Sequence, residues 1–209
     1  MERRLDTRAL VLYALFIALI FLLGLTPLGF IYLPVAAITT VHIPVIVGGY
    51  VAGPKGGALL GGFFGLTSLI RCFTTPDATA AIVLGTDTGF GPYNLLLILA
   101  VIFLPRVLTG LFSALIYQGM AKRGGDALAM GVSAFAGSLT NTVFYLGGLY
   151  VLAFSQTAAA MGVAGENAAG ALLKVLLGVV ALNGVLEAAA AVVLCIAVGK
   201  ALKAFLKHK

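Results

Sequence analysis

The sequence predicts an all-α integral membrane protein, a bundle of six transmembrane helices with both termini on the cytoplasmic side. Three observations carry that expectation: a composition that water cannot accommodate, six long apolar segments, and a one-sided distribution of basic residues. Of the 209 residues, 61% are hydrophobic and 10% are charged, and the mean hydropathy is +1.13. A soluble domain carries roughly 45–50% apolar and about 25% charged residues. So much apolar surface is stable only where lipid is the solvent. No linker, low-complexity tract or strong repeat divides the chain, so residues 1–209 are expected to form one transmembrane domain. The two cysteines, Cys72 and Cys195, are far apart and give neither a disulfide framework nor a metal spacing. The net charge of +6 does not point to nucleic acid, because the basic residues fall between apolar segments.

Each segment follows from its composition. The first covers about Ala9 to Leu25, after Arg3, Arg4 and Arg8. This opening mimics a signal peptide, but five more apolar segments follow and no convincing cleavage site does, so a retained anchor is expected. The second runs from about Val35 to Val51 and the third from about Gly56 to Phe73, separated by the turn Ala52-Gly53-Pro54-Lys55-Gly56-Gly57. The fourth spans about Tyr93 to Gln118, the fifth about Ala127 to Phe154 and the sixth about Ala171 to Phe205. Each reaches or nearly reaches the ~20 residues that cross a ~30 Å hydrocarbon core.

Orientation follows from the connections. With the N-terminus inside, the inner segments hold Arg3, Arg4, Arg8, Lys55, Lys122, Arg123, Lys200, Lys203, Lys207 and Lys209, ten of the 13 basic residues. The outer connections hold Arg71 at a helix edge, with Asp77, Asp87 and Glu166. This is the positive-inside pattern of a multi-pass protein of the cell membrane. The outer connections, about Thr26 to Pro34, Thr74 to Pro92 and Ser155 to Gly170, are the longer ones. Long loops on one face of a rigid scaffold suit a site open to the outside.

Polar groups within the spans carry the chemistry. A charge near the midplane costs at least ~2.5–3.5 kcal/mol on insertion scales and generally faces a bundle interior or cavity. Arg106, after Pro105, lies about 13 residues into the fourth segment, roughly 20 Å deep at ~1.5 Å per residue. Glu187 lies about 16 residues from the outer end of the sixth, with Asn183 four residues earlier on the same face. Asn141 is mid-span in the fifth, with Tyr145 one turn further out. These residues are expected to form a polar cluster among the last three helices. Two readings of it stay open: Arg106 and Glu187 face a ligand, or they pair and lock the bundle. Thr40 and His42 near the outer end of the second helix, and Arg71 near that of the third, are further candidates for contact with an incoming ligand. The alternatives are a satisfied packing histidine and a snorkelled arginine. Ala14 and Ala18 give the first helix a small-residue face, and Gly57, Gly61, Gly62 and Gly65 give the third another.

Enzymatic motifs are missing. There is no Gly-Lys-Ser/Thr phosphate loop, and with histidines only at His42 and His208 a histidine-rich metal site is excluded. No cofactor is implied. Any active transport then needs a partner or an ion gradient.

Several stretches together resemble the substrate-binding S component of energy-coupling factor (ECF) transporters. They are Ala14/Ala18, Thr39-Thr40-Val41-His42-Ile43-Pro44, Gly53-Pro54-Lys55 leading to Gly65-Leu66-Thr67-Ser68-Leu69, Pro105-Arg106, Asn141 and Asn183/Glu187. The resemblance covers essentially the whole chain and rests on order and spacing. It implies capture of a vitamin from the outer side and a lid formed by the first outer loop, here about Thr26 to Pro34. It also implies a pocket lined by helices four to six. The Ala14/Ala18 face would dock on a membrane coupling subunit that carries two cytoplasmic ATPases, and the S component would topple in the membrane when they act. The chain is most similar to the riboflavin- and pantothenate-type branch. A lysine expected near Asn183 of a riboflavin carrier is replaced by the Leu186-Glu187 stretch; Arg106 suits a carboxylate such as pantothenate's, while Glu187 suits a cationic or hydroxyl-rich ligand, so the reading is a B-type vitamin or precursor, leaning to pantothenate. The competing classes are an ion-coupled secondary transporter, with Glu187 as proton carrier, and a structural membrane subunit.

Overall fold

The computed structural model describes residues 7–32, 37–85 and 89–207. Arg3, Arg4, Pro34, Val35, Asp87, His208 and Lys209 therefore lie outside the described residues, as do the side chains of Arg8, Arg123 and Lys207. The described chain is helical apart from one short hairpin. In lipid no water satisfies backbone N–H and C=O groups, and a helix pairs them within its own segment.

Helix α1 (Thr7–Leu25) buries Phe16 and Ile20 and leaves Val11, Ala14, Leu15, Ala18 and Leu22 exposed. Strands β1 (Phe30–Tyr32) and β2 (Ala37–Thr39) follow, antiparallel, pairing Phe30 with Thr39, Ile31 with Ile38 and Tyr32 with Ala37. Ala37–Thr39 were expected to open the second helix. They form a strand instead, and helix starts only at His42. Ile38, Thr39, Thr40 and Val41 are β-branched, which restricts χ1 in a helix and suits a pleated strand.

Helix α2 (His42–Thr74) contains the second and third predicted segments. It breaks at Gly53, whose φ of 74° and ψ of −176° are open to glycine, and Pro54 then lacks the N–H that would continue the ladder. The limbs fold back on each other: a Cβ at Gly48 would meet Leu60 Cδ1, and one at Gly49 would lie 3.6 Å from Gly57 Cα. In a straight helix residues 48 and 60 would be about 18 Å apart. The predicted six-residue turn is thus a break at a single glycine.

Helices α3 (Ala78–Leu84), capped by Asp77, and α7 (Phe154–Ala160) lie in two of the connections expected to be loops. Helix α4 (Pro92–Leu97) runs through a π-helical stretch, Ile98–Phe103, into α5 (Leu104–Gly124). Helix α6 (Asp126–Leu152) is continuous, and α8 (Ala168–Val179) passes through a second π-helical stretch, Val180–Gly184, into α9 (Val185–Lys207). Among the described residues four helical spans are long and apolar enough to cross a membrane: His42–Thr74, Pro92–Lys122, Asp126–Leu152 and Ala168–Leu206. The apolar stretch Ala9–Leu25 is shorter. The chain is a multi-pass, all-helical membrane protein in its architecture.

There are two apolar cores. One contains Ile20, Ile46, Leu60 and Met130 and reaches Val41 next to the hairpin; the other contains Val83, Leu97, Val101 and Leu172. Beyond the first, Lys203 Nζ lies 2.8 Å from Asp126 Oδ1, Tyr117 OH donates to the same oxygen at 3.0 Å, and α5, α6 and α9 are joined.

The second limb of α2 lies directly on α5. A Cβ at Gly57 would meet Gly110 O, one at Gly110 would meet Gly57 O, and one at Gly61 would meet Arg106 O. Gly65 lies under the Phe103 ring, whereas Gly62 faces open space. Without a hydrophobic drive between helices in lipid, small residues let the backbones gain contact by close approach. We expect Gly57→Ala and Gly110→Ala each to lower stability by about 1–3 kcal/mol, the usual cost of overpacking. Gly62→Ala should be neutral or mildly stabilising, and thermal unfolding of the purified protein in detergent checks all three.

Candidate functional site

A cavity of about 390 Å³ lies between the two cores, bounded by Phe64 of one and by Ile102 and Leu146 of the other. Small-molecule sites typically span ~300–1,000 Å³. The second limb of α2, the hairpin's Thr39, α6 and the two helices with π-helical stretches supply its walls. Single-turn π-bulges recur at functional sites because they re-aim side chains without ending a helix.

Arg106 is placed by its neighbour. Pro105 has no N–H, so the Val101 carbonyl one turn earlier loses its helical donor. The Arg106 Nη1 donates to that carbonyl instead, at 2.7 Å. The guanidinium carbon stands 4.7 Å from the centre of the Tyr145 ring and 5.6 Å from that of Phe64, within cation–π range. Tyr145 is in turn fixed by its hydroxyl, which donates to Thr79 Oγ1 at 2.7 Å. A buried cation is thus held by a carbonyl and two aromatic faces. Among the described residues no ion pair joins Arg106 to Glu187. The bundle is not locked by that pair.

The remaining polar walls come from α6 and from the stretch leading into α9. Asn141 and Thr142 lie beside Asn183, where a Cβ on Gly184 would sit 3.4 Å from the Thr142 methyl. Glu187 is buried, and its Oε1 accepts the Thr39 backbone N–H at 2.8 Å. Two buried atoms of the wall, Arg106 Nε and Asn141 Oδ1, have no hydrogen-bond partner among the described residues. Leaving such a group unpaired costs about 1–3 kcal/mol, more for a charged one. A donor on a cation and an amide acceptor on one cavity wall suit a small, polar ligand with an anionic group.

Of the residues singled out from sequence, Arg106, Asn141, Tyr145, Asn183, Glu187 and Arg71 all line this cavity. His42 and Thr40 do not. His42 is 1% exposed and packed into the bundle, with neither ring nitrogen hydrogen-bonded to a described residue. Thr40 is buried and spends its backbone N–H on Gly29 O, 2.9 Å away. Its neighbour Thr39 reaches the cavity instead, since successive residues leaving a strand point to opposite sides. Sequence reasoning missed Ser68, Cys72, Thr75, Asp77, Thr79 and Thr142. Ser68, Cys72 and Thr75 stand within one turn or so of Arg71 on the same helix face, and that spacing was a usable signal. Among the described residues no three His, Cys, Asp or Glu side chains are grouped to hold a metal ion.

Tyr145→Phe removes the bond to Thr79 but keeps the ring beneath Arg106. It should cost about 1 kcal/mol, the net value of one such bond, in thermal unfolding. Tyr145→Ala should cost clearly more, because the guanidinium loses an aromatic face.

The family model described as "ECF transporter, substrate-specific component" matches residues 8–199 of the chain. A pantothenic acid transporter of Lactococcus lactis subsp. cremoris is 33% identical over 119 residues, covering 54% of this chain and 56% of that protein. A pantothenate transporter of Leuconostoc mesenteroides subsp. mesenteroides is 28% identical over 207 residues, covering 94% of this chain and 92% of that protein. The chain thus spans about half the length of the first relative and nearly all of the second.

Proposed function

Because this chain belongs to the family of ECF transporter substrate-specific components, we propose that it captures pantothenate from outside the cell for ATP-driven import by partner subunits. The observation that carries this reading is the buried Arg106 guanidinium, which faces a cavity of about 390 Å³ and is paired with no carboxylate among the described residues. Pantothenate offers a carboxylate for Arg106, and an amide and two hydroxyls for the side-chain amides of Asn141 and Asn183. The names of both relatives point to the same ligand. Tyr145 shapes the wall behind the carboxylate, and Arg71 adds positive charge at the cavity's margin.

In this reading the membrane is crossed six times, by α1, the two limbs of α2, α4 with α5, α6, and α8 with α9. Lys55, Lys122 and Lys200 are exposed at the end far from the hairpin, which is taken as cytoplasmic and bears both termini. The hairpin then lies outside, over the cavity mouth, and acts as the lid. The chain itself is a binding subunit of the plasma membrane and not an enzyme. ATP hydrolysis belongs to two cytoplasmic ATPases that reach it through a membrane coupling subunit. Ala14 and Ala18 lie on the exposed side of α1, turned away from Phe16 and Ile20, and serve as the docking face.

Titration calorimetry on the purified protein tests the ligand. Arg106→Ala should weaken pantothenate binding by about 10- to 100-fold, the range set by ~1.5–3 kcal/mol for a hydrogen bond to a charged group, with the fold retained. Asn183→Ala should weaken it less. Equal affinity in wild type and Arg106→Ala would place the ligand elsewhere. For docking, Ala14→Trp or Ala18→Trp should leave binding intact and abolish co-purification with the coupling subunit.

A further inference from the structure

We propose that a groove between α6 and α9 is a binding site for one anionic phospholipid, with an acyl chain along the groove and the phosphate at Lys200. The site is separate from the cavity around Arg106, and the two share no lining residue. The inference therefore does not depend on which ligand that cavity takes.

The groove has a volume of about 570 Å³ and an apolar lining. Helix α6 contributes Leu128, Gly131, Val132 and Phe135, and α9 contributes Val192 and Ile196. Gly131 is what makes it a groove. A Cβ there would stand 3.3 Å from Ile196 Cδ1 and 3.7 Å from Val192 Cγ1, so the floor is a close helix approach with no side chain on the α6 side. Leu128, Val132 and Phe135 recur at helical spacing, are exposed, and form the α6 wall. Within a bilayer the medium around such a wall is lipid and not water. A chain seated in the groove gains dispersion contacts that an unfilled groove forfeits.

Packing alone would accept the tail of any lipid. The charge at one end of the groove selects among them. On α9 the lining residues Val192 and Ile196 continue in steps of four residues to Lys200, on the same helix face. From position 192 to position 200 is about 12 Å along the helix, enough for the upper part of an acyl chain. Two further charges stand at this end. Asp126 directly precedes the lining residue Ala127, and Lys203 Nζ lies 2.8 Å from its Oδ1 and 5.1 Å from the centre of the Tyr117 ring. Those two charges offset each other. Lys200 is exposed, and no salt bridge joins it to a carboxylate among the described residues. One uncompensated cation at the end of an apolar channel complements a molecule with a single negative head and a long tail. A zwitterionic head brings its own cation to Lys200 and gains less. Basic groups beside grooves between transmembrane helices attract anionic headgroups for this reason.

Native mass spectrometry of the protein in detergent, supplied with phosphatidylglycerol or with phosphatidylcholine of the same acyl chains, tests the site. Wild type should retain one phosphatidylglycerol at least about fivefold more tightly than phosphatidylcholine. Lys200→Gln should weaken phosphatidylglycerol about fivefold, the share of one lysine near an anionic surface. Lys122→Gln, at an exposed lysine of α5 outside the groove, should change it by less than twofold. Val132→Trp fills the groove from its exposed wall and should displace the lipid, and Leu128→Trp serves if that variant does not fold. Equal retention of the two lipids overturns the proposal. So does equal loss in Lys122→Gln and Lys200→Gln, because the attraction would then be diffuse. Retention unaffected by both tryptophan variants overturns it too, since the chain would lie elsewhere. A photoreactive side chain at position 128 should cross-link to lipid in membranes. Cross-linking instead to a second copy of the chain or to a coupling subunit would make the groove a protein interface and refute the lipid site.

Discussion

The burial of one guanidinium inside an apolar bundle constrains the rest of the molecule. A charge at that depth is costly, so its surroundings must be built to hold it. Pro105 removes a backbone donor, Val101 O becomes available, and Arg106 takes it. Tyr145 and Phe64 supply the faces on either side. Tyr145 is fixed by Thr79 on α3, and α3 by its Asp77 cap, whose carboxylate accepts the Ala80 N–H at 2.9 Å. A segment that the sequence presents as an outer loop is therefore part of the support for a charge within the bundle.

That support needs a rigid frame, and the glycine seam between the second limb of α2 and α5 provides it. Gly61 lies against the carbonyl of Arg106 itself, so the seam extends to the functional residue. At the far end, Lys203, Asp126 and Tyr117 join α5, α6 and α9. At the other end the hairpin, with three residues per strand, is tied to α9 where the Thr39 N–H donates to Glu187.

Much of the candidate site was legible because depth in a membrane is a linear quantity. Counting residues at ~1.5 Å each put Arg106, Asn141 and Asn183 at similar heights, and polar groups at such heights turn inward. Six of the eight candidate contact residues line one cavity for that reason. The two that do not, Thr40 and His42, stand where strand gives way to helix. Their direction is set by strand alternation and by the start of α2, and neither can be counted from hydropathy. Ser68, Cys72 and Thr75 were passed over because a mild hydroxyl or thiol in an apolar helix is ordinary by composition. Their helical spacing from Arg71 was the one signal that could have singled them out.

The sequence by itself determined that this chain lives in lipid, roughly where its long apolar helices run, and which few polar side chains need a reason to be buried. Those are properties of composition and of local spacing, and they hold for any packing of the helices. Tertiary structure decided the rest: the two π-helical stretches at Arg106 and Asn183, the lack of an Arg106–Glu187 pair among the described residues, and the bond from Glu187 to Thr39. Each depends on where one helix stands against another, and that is set by contacts such as Gly57 on Gly110 between residues distant in the chain.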